Sequence, residues 1–451
     1  MSGNNFSRRK FFAGAAAVGA AGALGIGPLS SCTSGGNSSA EGAFDWVPRE
    51  LNLPPLLEKA PEGQELKAGV IGCGGRGSGA AINFLDAGPG LTITALGDVF
   101  EDRLNDCREK IKKQKGIEVP QENCFLGFDA FEKVIDAGVD IVILATPPKF
   151  RPEHFEAAVK ARKHIFLEKP VAVDTNGIRQ VIAAAKMADS QGLKIITGTQ
   201  RRHEHSYINL LKEINNNGIG QIVSANVYWN GAKLWHRDNN PDWSEMEWMI
   251  RDWVNWCWLS GDHIVEQHVH NLDVATWYMG THPVKALGFG SRHRRVTGDQ
   301  YDNFSIDYVY EDGRQMHSMC RQINGCANGV YEVFHGTKAI ATTTGHKPQI
   351  VDASGNQLFV AEASETSPYV QEHIDLVTCI RQNIPVNEAE QTAISNLVAI
   401  MGRVSAYTGK ETTYDEMMNS EMKLGPETYI MGDIGFMANA VVPVPGTLEK
   451  T

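Results

Sequence analysis

The stretch from Leu66 to Gly88, LKAGVIGCGGRGSGAAINFLDAG, constrains the chain more than any other. A short apolar strand, Ala68 to Ile71, runs straight into Gly72-x-Gly74-x-x-Gly77, and a helical pattern follows from Ser78. Glycine at the first position allows a tight turn, at the second it lets backbone approach a pyrophosphate, and at the third it lets helix pack closely on strand. Gly75 and Arg76 lie inside the same turn and are counted with it as cofactor contacts. The start of the following helix offers unpaired N–H groups and the positive end of its dipole to a phosphate. A second strand, LTITALGDV, brings Asp98 to its end, 21 residues beyond Gly77. A carboxylate there accepts hydrogen bonds from the adenosine ribose hydroxyls and repels a 2′-phosphate. NAD is therefore the expected cofactor, with Arg103 nearby leaving NADP open.

The alternation continues through VDIVILATPP (Val139 to Pro148), HIFLEKP (His164 to Pro170) and LKIITGTQ (Leu193 to Gln200), with helical stretches at His154 to Lys163 and Thr175 to Ser190. Near-continuous apolar strands separated by helices predict a parallel sheet covered on both faces. Ligands in such sheets sit beyond the carboxyl ends of the strands, where Thr146, Pro147, Glu168, Lys169 and Gln200 fall.

Ahead of this domain, Ser7-Arg8-Arg9-Lys10-Phe11-Phe12 reads as a twin-arginine export signal, and Leu29-Ser30-Ser31-Cys32 as a lipobox. The expected organisation is a signal at 1–32 with a lipid-bearing Cys32, a tether at 33–65, a dinucleotide-binding domain at 66–200, and a substrate-binding and oligomerisation domain at 201–451. The expected location is the periplasm or cell envelope, with membrane contact through the Cys32 lipid. A net charge of -11 and a pI near 5.7 argue against a nucleic-acid surface. Seven cysteines follow Cys32 without a CxxC pair, so neither a disulfide framework nor a zinc ribbon is signalled, and no metal is expected.

Two constellations carry chemistry. In Glu168-Lys169-Pro170 a lysine closes an apolar strand at the mouth of the nucleotide site, where it can hydrogen-bond a substrate hydroxyl and exchange its proton. In GDHIVEQHVHNLDVATWYMG, a helix places His263, Glu266, His270 and Asp273 along one polar stripe, with Glu266 one turn before His270. A carboxylate so placed can orient an imidazole or raise its pKa. A solvated helix face is the alternative, and a metal site is disfavoured because His268 points away from the stripe. Between the two constellations lie Trp229, Trp235, Trp243, Trp248, Trp253, Trp256 and Trp258, seven of the nine tryptophans in the chain. Indole faces stack on sugar rings, so Trp253 and Trp256 are candidate substrate contacts, with core or interface packing as the alternative for about half of the rings.

Together these residues resemble the Gfo/Idh/MocA family, the glucose-fructose oxidoreductase and inositol dehydrogenase group. The resemblance runs from the glycine turn through EKP and the His270 helix to YVQEHIDLVTCIRQNIPVNEAEQTAISNLVAIMGRVSAYTGK. It implies that Lys169 is the catalytic lysine, that Glu168 and His154 lie at the cofactor, and that His270 exchanges protons or orients substrate. Family members often carry Asp four residues before that histidine, where this chain has Glu266. The implied fold class is α/β: an N-terminal Rossmann doubly wound parallel sheet, then a C-terminal α+β domain with an open, mostly antiparallel sheet that covers the cofactor and forms an oligomer interface. QIVSANVYW, NFSIDYVYEDGRQMHSMC and GVYEVFHGTKAIAT alternate as such a sheet requires. Arg202, near the domain junction, and Asp273 are the remaining expected substrate contacts. The expected protein is a homo-oligomer, dimer or tetramer, that moves hydride between a secondary alcohol of a sugar or sugar derivative and a tightly bound NAD(P). Alternatives are a redox-neutral NAD-dependent glycoside hydrolase and, third, a non-catalytic sugar-binding lipoprotein.

Overall fold

The structure, a computed structural model, describes residues 48–447. The signal at 1–32, Cys32 and the first part of the expected tether lie outside the described residues. Six parallel strands, β1 (Leu66–Ile71), β2 (Leu91–Asp98), β3 (Cys124–Leu126), β4 (Ile141–Leu144), β5 (His164–Leu167) and β6 (Ile195–Thr197), form one sheet in the order β3-β2-β1-β4-β5-β6. Their buried residues are mostly apolar, and every residue of β4 is buried, because helices cover both faces. The helix Thr175–Ser190 matches its expected span, and Asp174 caps it by accepting from Gly177 N at 2.8 Å. Strand order reverses between β1 and β4, which opens a crevice at their carboxyl ends.

The second sheet contains β7 (Ile222–Gly231), β8 (Lys285–Ser291), β9 (Asn303–Val309), β10 (Gln315–Gln322), β11 (Gly329–Gly336), β12 (Ile340–Thr342), β13 (Gln349–Val351), β14 (Gln357–Val360) and β15 (Thr412–Thr413). Its order is β14-β13-β12-β11-β7-β10-β9-β8-β15; β7 and β10 run parallel and the other neighbours antiparallel. Strict alternation sends Phe304, Ile306, Tyr308, Met316 and Cys320 inward against the helices Val269–Met279 and Ala389–Thr408. The opposite face leaves Leu287, Phe289 and Met319 exposed.

Three features depart from expectation. Residues 48–65 are not a free tether. Arg49 donates to the carbonyls of Trp277 and Tyr278 at the end of the Val269–Met279 helix and exchanges hydrogen bonds with Asn215. Farther on, Leu56 N donates to Asp375, Leu57 O accepts from Gln371, and Ala60 N donates to Ala87 O, so this strap runs from the second sheet's helices to the first sheet's. Next, the helix Pro368–Arg381 buries Ile374, Leu376 and Val377 among Val70, Phe84, Ile93 and Phe166, and so completes the core of the parallel-sheet domain from far down the chain. Finally, the helix expected from His263 onward is broken into His263–Glu266 and Val269–Met279. Asp262, with φ +71°, caps the first piece, and its buried carboxylate accepts from His263 N, Tyr301 N and Tyr407 OH. The expected polar stripe is not a solvated face either, since ten of the eleven residues in Val269–Met279 are buried. No helix among the described residues is long and apolar enough to cross a membrane.

The two sheets are tied at His203, which lies just after β6. Its Nδ1 is 2.8 Å from Asp375 and its Nε2 3.3 Å from Glu388, all three buried. Burial by itself disfavours the imidazolium, but Glu388 and Asp375 outweigh it and push the pKa up to about 10. The unfolded reference is 6.5, so this stabilisation is complete below that pH and is lost as the pH rises through about 10. Removing one partner from a buried ion pair costs about 3–5 kcal/mol. Thermal melts of the wild type and His203→Gln should therefore differ most near pH 6 and converge toward pH 10; a constant gap across that range excludes the ion pair as the cause.

Candidate active site

The glycine turn is dictated by space. Gly72 has φ +91°, and a Cβ there would lie 2.5 Å from Thr146 N. A Cβ on Gly77 would fall 1.7 Å from Gly72 O, so the helix rests directly on the turn. Gly74 and Gly75 have nothing within 4 Å of a Cβ, and both face the crevice. The crevice is a cleft of about 510 Å³, within the usual range for small-molecule sites. Asp98 lies on its wall, held by hydrogen bonds from Cys73 N at 2.6 Å and Phe100 N at 2.9 Å, with its pKa raised by burial. Arg103, Thr146, Pro147 and His154 line the same cleft. His154 stacks on Phe131 with ring centroids 4.2 Å apart, and its Nδ1 is 3.4 Å from Thr146 Oγ1. Desolvation, helped by the charge of Arg151, lowers its pKa to about 3, so its ring is neutral.

Arg76 lines the cleft but turns its guanidinium to Glu168 and Glu372, with the Tyr369 ring 4.9 Å away. Glu168 is buried beneath Arg76 and accepts from Lys169 N at 3.1 Å, so it organises the loop and the lysine and stands outside the cleft lining. A Cβ on Gly198 would come within 2.5 Å of that carboxylate, which accounts for a glycine there. Gln200 is also outside the lining; it begins the turn Gln200–His203.

Lys169 reaches from the end of β5 to the break before the His270 helix. Its Nζ donates to Glu266 O at 2.5 Å and stands 3.4 Å from Glu266 Oε1. Glu266 was expected to pair with His270. Because the helix is interrupted at Gln267 and His268, it meets Lys169 instead, and among the described residues no hydrogen bond joins it to His270. The His270 ring lies nearly parallel to Trp229, centroids 5.6 Å apart, and Arg201 sits over the same indole at 5.8 Å. Desolvation, then the charges of Lys169, Arg201 and Arg76, hold the His270 pKa well below its ordinary value. A neutral imidazole thus shares one charged neighbourhood with the lysine.

Other expected contacts have different places. Arg202 forks onto Asp273 at 2.8 and 2.9 Å, both side chains are buried, and Ser395 completes the carboxylate. This pair locks the Gln200–His203 turn to the His270 helix, which leaves neither group free for substrate. Trp256 is buried in a cluster with Met246, Met249 and Trp258, whereas Trp253 lines the nucleotide cleft beside Trp235. The residue facing His270 is Arg201, whose partner Glu332 also accepts from Asn271 at 2.6 Å and Thr343 at 2.6 Å. Adjacent arginines in a turn give no sequence signal of which one faces the site. Phe100, Phe128, Phe131 and Phe150, which floor the cleft, were likewise missed: as apolar residues near strand ends they read as core.

Residues 66–196 match the family described as "Oxidoreductase family, NAD-binding Rossmann fold", the Gfo/Idh/MocA group. Over 226 residues the chain is 26% identical to the myo-inositol 2-dehydrogenase of Thermotoga maritima, covering 50% of this chain and 58% of that one. Over 246 residues it is 25% identical to the scyllo-inositol 2-dehydrogenase (NAD(+)) of Bacillus subtilis, covering 54% and 63%. The match therefore spans about six tenths of these relatives' own length. In fold it resembles the aldose-aldose oxidoreductase of Caulobacter crescentus, with TM-score 0.61 at 18% identity over 77% of this chain and 99% of that one. With its glycine turn, Asp98 and six-stranded parallel sheet, the matched region 66–196 carries the NAD-binding Rossmann fold of the Gfo/Idh/MocA oxidoreductase family.

Proposed function

We propose that this protein is an NAD-dependent oxidoreductase acting on a secondary alcohol of a cyclic polyol or sugar. The observation that carries the reading is the Lys169 amine, gripped by Glu266 O and placed with neutral His270 beyond the carboxyl ends of an NAD-binding sheet. The residues present fit the cofactor: Gly74 and Gly75 leave open space where a pyrophosphate needs backbone, and Asp98 offers acceptors for ribose hydroxyls. NAD, when bound, supplies the hydride acceptor. His270, uncharged and with a lone pair, accepts the hydroxyl proton of the alcohol. Lys169 donates to the same oxygen as its C–H bond is broken, which stabilises the developing alkoxide. Glu266 and Glu168 position that lysine, one through its side-chain nitrogen and the other through its backbone. Trp229 and Arg201 wall the substrate side, an aromatic face and a cation suited to a polyhydroxylated ring. The names of the inositol dehydrogenase relatives support the polyol class.

Export on a twin-arginine signal with a lipid at Cys32, and self-association, are further parts of the proposal. The exposed Leu287, Phe289 and Met319 support the second.

Lys169→Ala should lower turnover on an inositol and sugar panel about 10²- to 10⁴-fold while NAD still binds, measured by nicotinamide absorbance and calorimetry; unchanged turnover would sink the assignment. Cleavage of aryl glycosides without net NADH would replace it with the redox-neutral hydrolase. The glycines should separate fold from binding. Gly77→Ala forces a clash onto Gly72 O and should destabilise the chain by about 1–3 kcal/mol or more. Gly74→Ala meets open space, so it should cost at most about 1 kcal/mol as a helix cap yet weaken NAD binding sharply, checked by melting and titration on the same samples.

A further inference from the structure

The nucleotide cleft has a wall that the dinucleotide motif does not provide. Trp235, Arg237, Ile250, Arg251 and Trp253 line it, all from the segment between β7 and the His270 helix, in the second domain. That segment is internally braced. Arg237 N donates to Asp252 at 2.8 Å, Trp248 Nε1 donates to Arg237 O at 2.8 Å, and Asn255 bonds Asp252 at 2.7 Å. It is also latched to the first domain at the adenosine end. Arg251 forks onto Asp102 at 3.1 and 3.2 Å, and its guanidinium lies 3.9 Å from the centre of the Phe100 ring, two residues beyond Asp98. Behind the latch, Met246, Met249, Ile250 and Trp256 bury themselves with Phe100 and Phe150, the same two rings that floor the cleft.

Two features of this wall point to a ligand. Trp235 is 47% exposed although it lines a cavity, with Trp253 edge-on at 6.4 Å and the Arg237 guanidinium 5.7 Å from its ring. An exposed indole beside a cation, facing a cleft that holds a ribose-binding carboxylate, suits a purine ring, since every base has a π-face for aromatic and guanidinium partners. The latch then sets how the nucleotide leaves: with Arg251 on Asp102, the roof and the floor of the cleft are joined on the adenosine side.

We propose that this segment is a cofactor-binding roof, in which Trp235 and Trp253 contact the adenine half of NAD and the Arg251–Asp102 pair retains it. The proposal rests on the oxidoreductase reading above and goes beyond it, because it makes the second domain responsible for cofactor retention. Retention is what an exported enzyme needs in order to keep a cofactor that its surroundings do not supply.

The test uses the full chain loaded with NAD, and follows release during rapid gel filtration together with calorimetric titration of the emptied protein with NAD and ADP. The double variant Trp235→Ala/Trp253→Ala should release NAD about tenfold faster or more and lose ADP affinity by a similar factor, the scale of one lost base–aromatic stack. Asp102→Asn, an exposed substitution that leaves the indoles in place, should speed release in the same direction and guards against a misfolded double variant. Wild-type release rates in both variants overturn the roof and leave the oxidoreductase reading standing. A wild-type chain that takes up neither NAD nor ADP overturns both.

Discussion

The contact on which the site depends is the hydrogen bond from the Lys169 amine to the carbonyl of Glu266. It joins the end of a parallel strand in one domain to an interrupted helix in the other. A continuous helix would have committed the Glu266 carbonyl to the backbone N–H four residues on, the ordinary partner within an α-helix. The break at Gln267 and His268 frees it.

Around this contact the interior is unusually charged. Arg76 sits between Glu168 and Glu372, Arg201 meets Glu332, Arg202 meets Asp273, and His203 lies between Asp375 and Glu388. Buried pairs contribute little net stability compared with apolar packing, because desolvation offsets most of their attraction. What they do supply is orientation. Apart from Arg76–Glu168, each pair has one member in the glycine turn or the segment after β6 and its partner on an element from the second half of the chain. The domain junction is thus oriented by directional bonds alongside an apolar core that both sheets share. Desolvation, with Lys169, Arg201 and Arg76 behind it, keeps His270 uncharged, so two cations of this network add to the effect that sets the protonation state of the proposed base.

Much of the first domain was legible in sequence. The strands at Ala68, Leu91, Val139, His164 and Leu193, the helix Thr175–Ser190 and the task of each glycine follow from short-range rules: apolar runs for buried strands, a capping Asp174, and space that admits no Cβ. Motif and resemblance put Lys169 and His270 in one neighbourhood, and the charge of Lys169 is among the causes that hold the His270 pKa down. Other assignments went astray for one kind of reason. Arg202 turns to Asp273, Trp256 is buried in a core cluster and Glu266 meets Lys169 rather than His270, in each case because neighbours in sequence have to be sorted by the direction of their side chains.

Periodicity and backbone sterics act over a few residues, so the chain alone determined the glycine turn, the parallel strands feeding it, and the residue types at their ends. Tertiary structure decided which side chains meet. The strap at 48–65, the helix Pro368–Arg381 that completes a distant core, the interrupted His270 helix and the wall that Trp235 and Arg251 add to the cleft all depend on partners 97 or more residues away in sequence. A side chain's direction is set by what it packs against, and that information is not local.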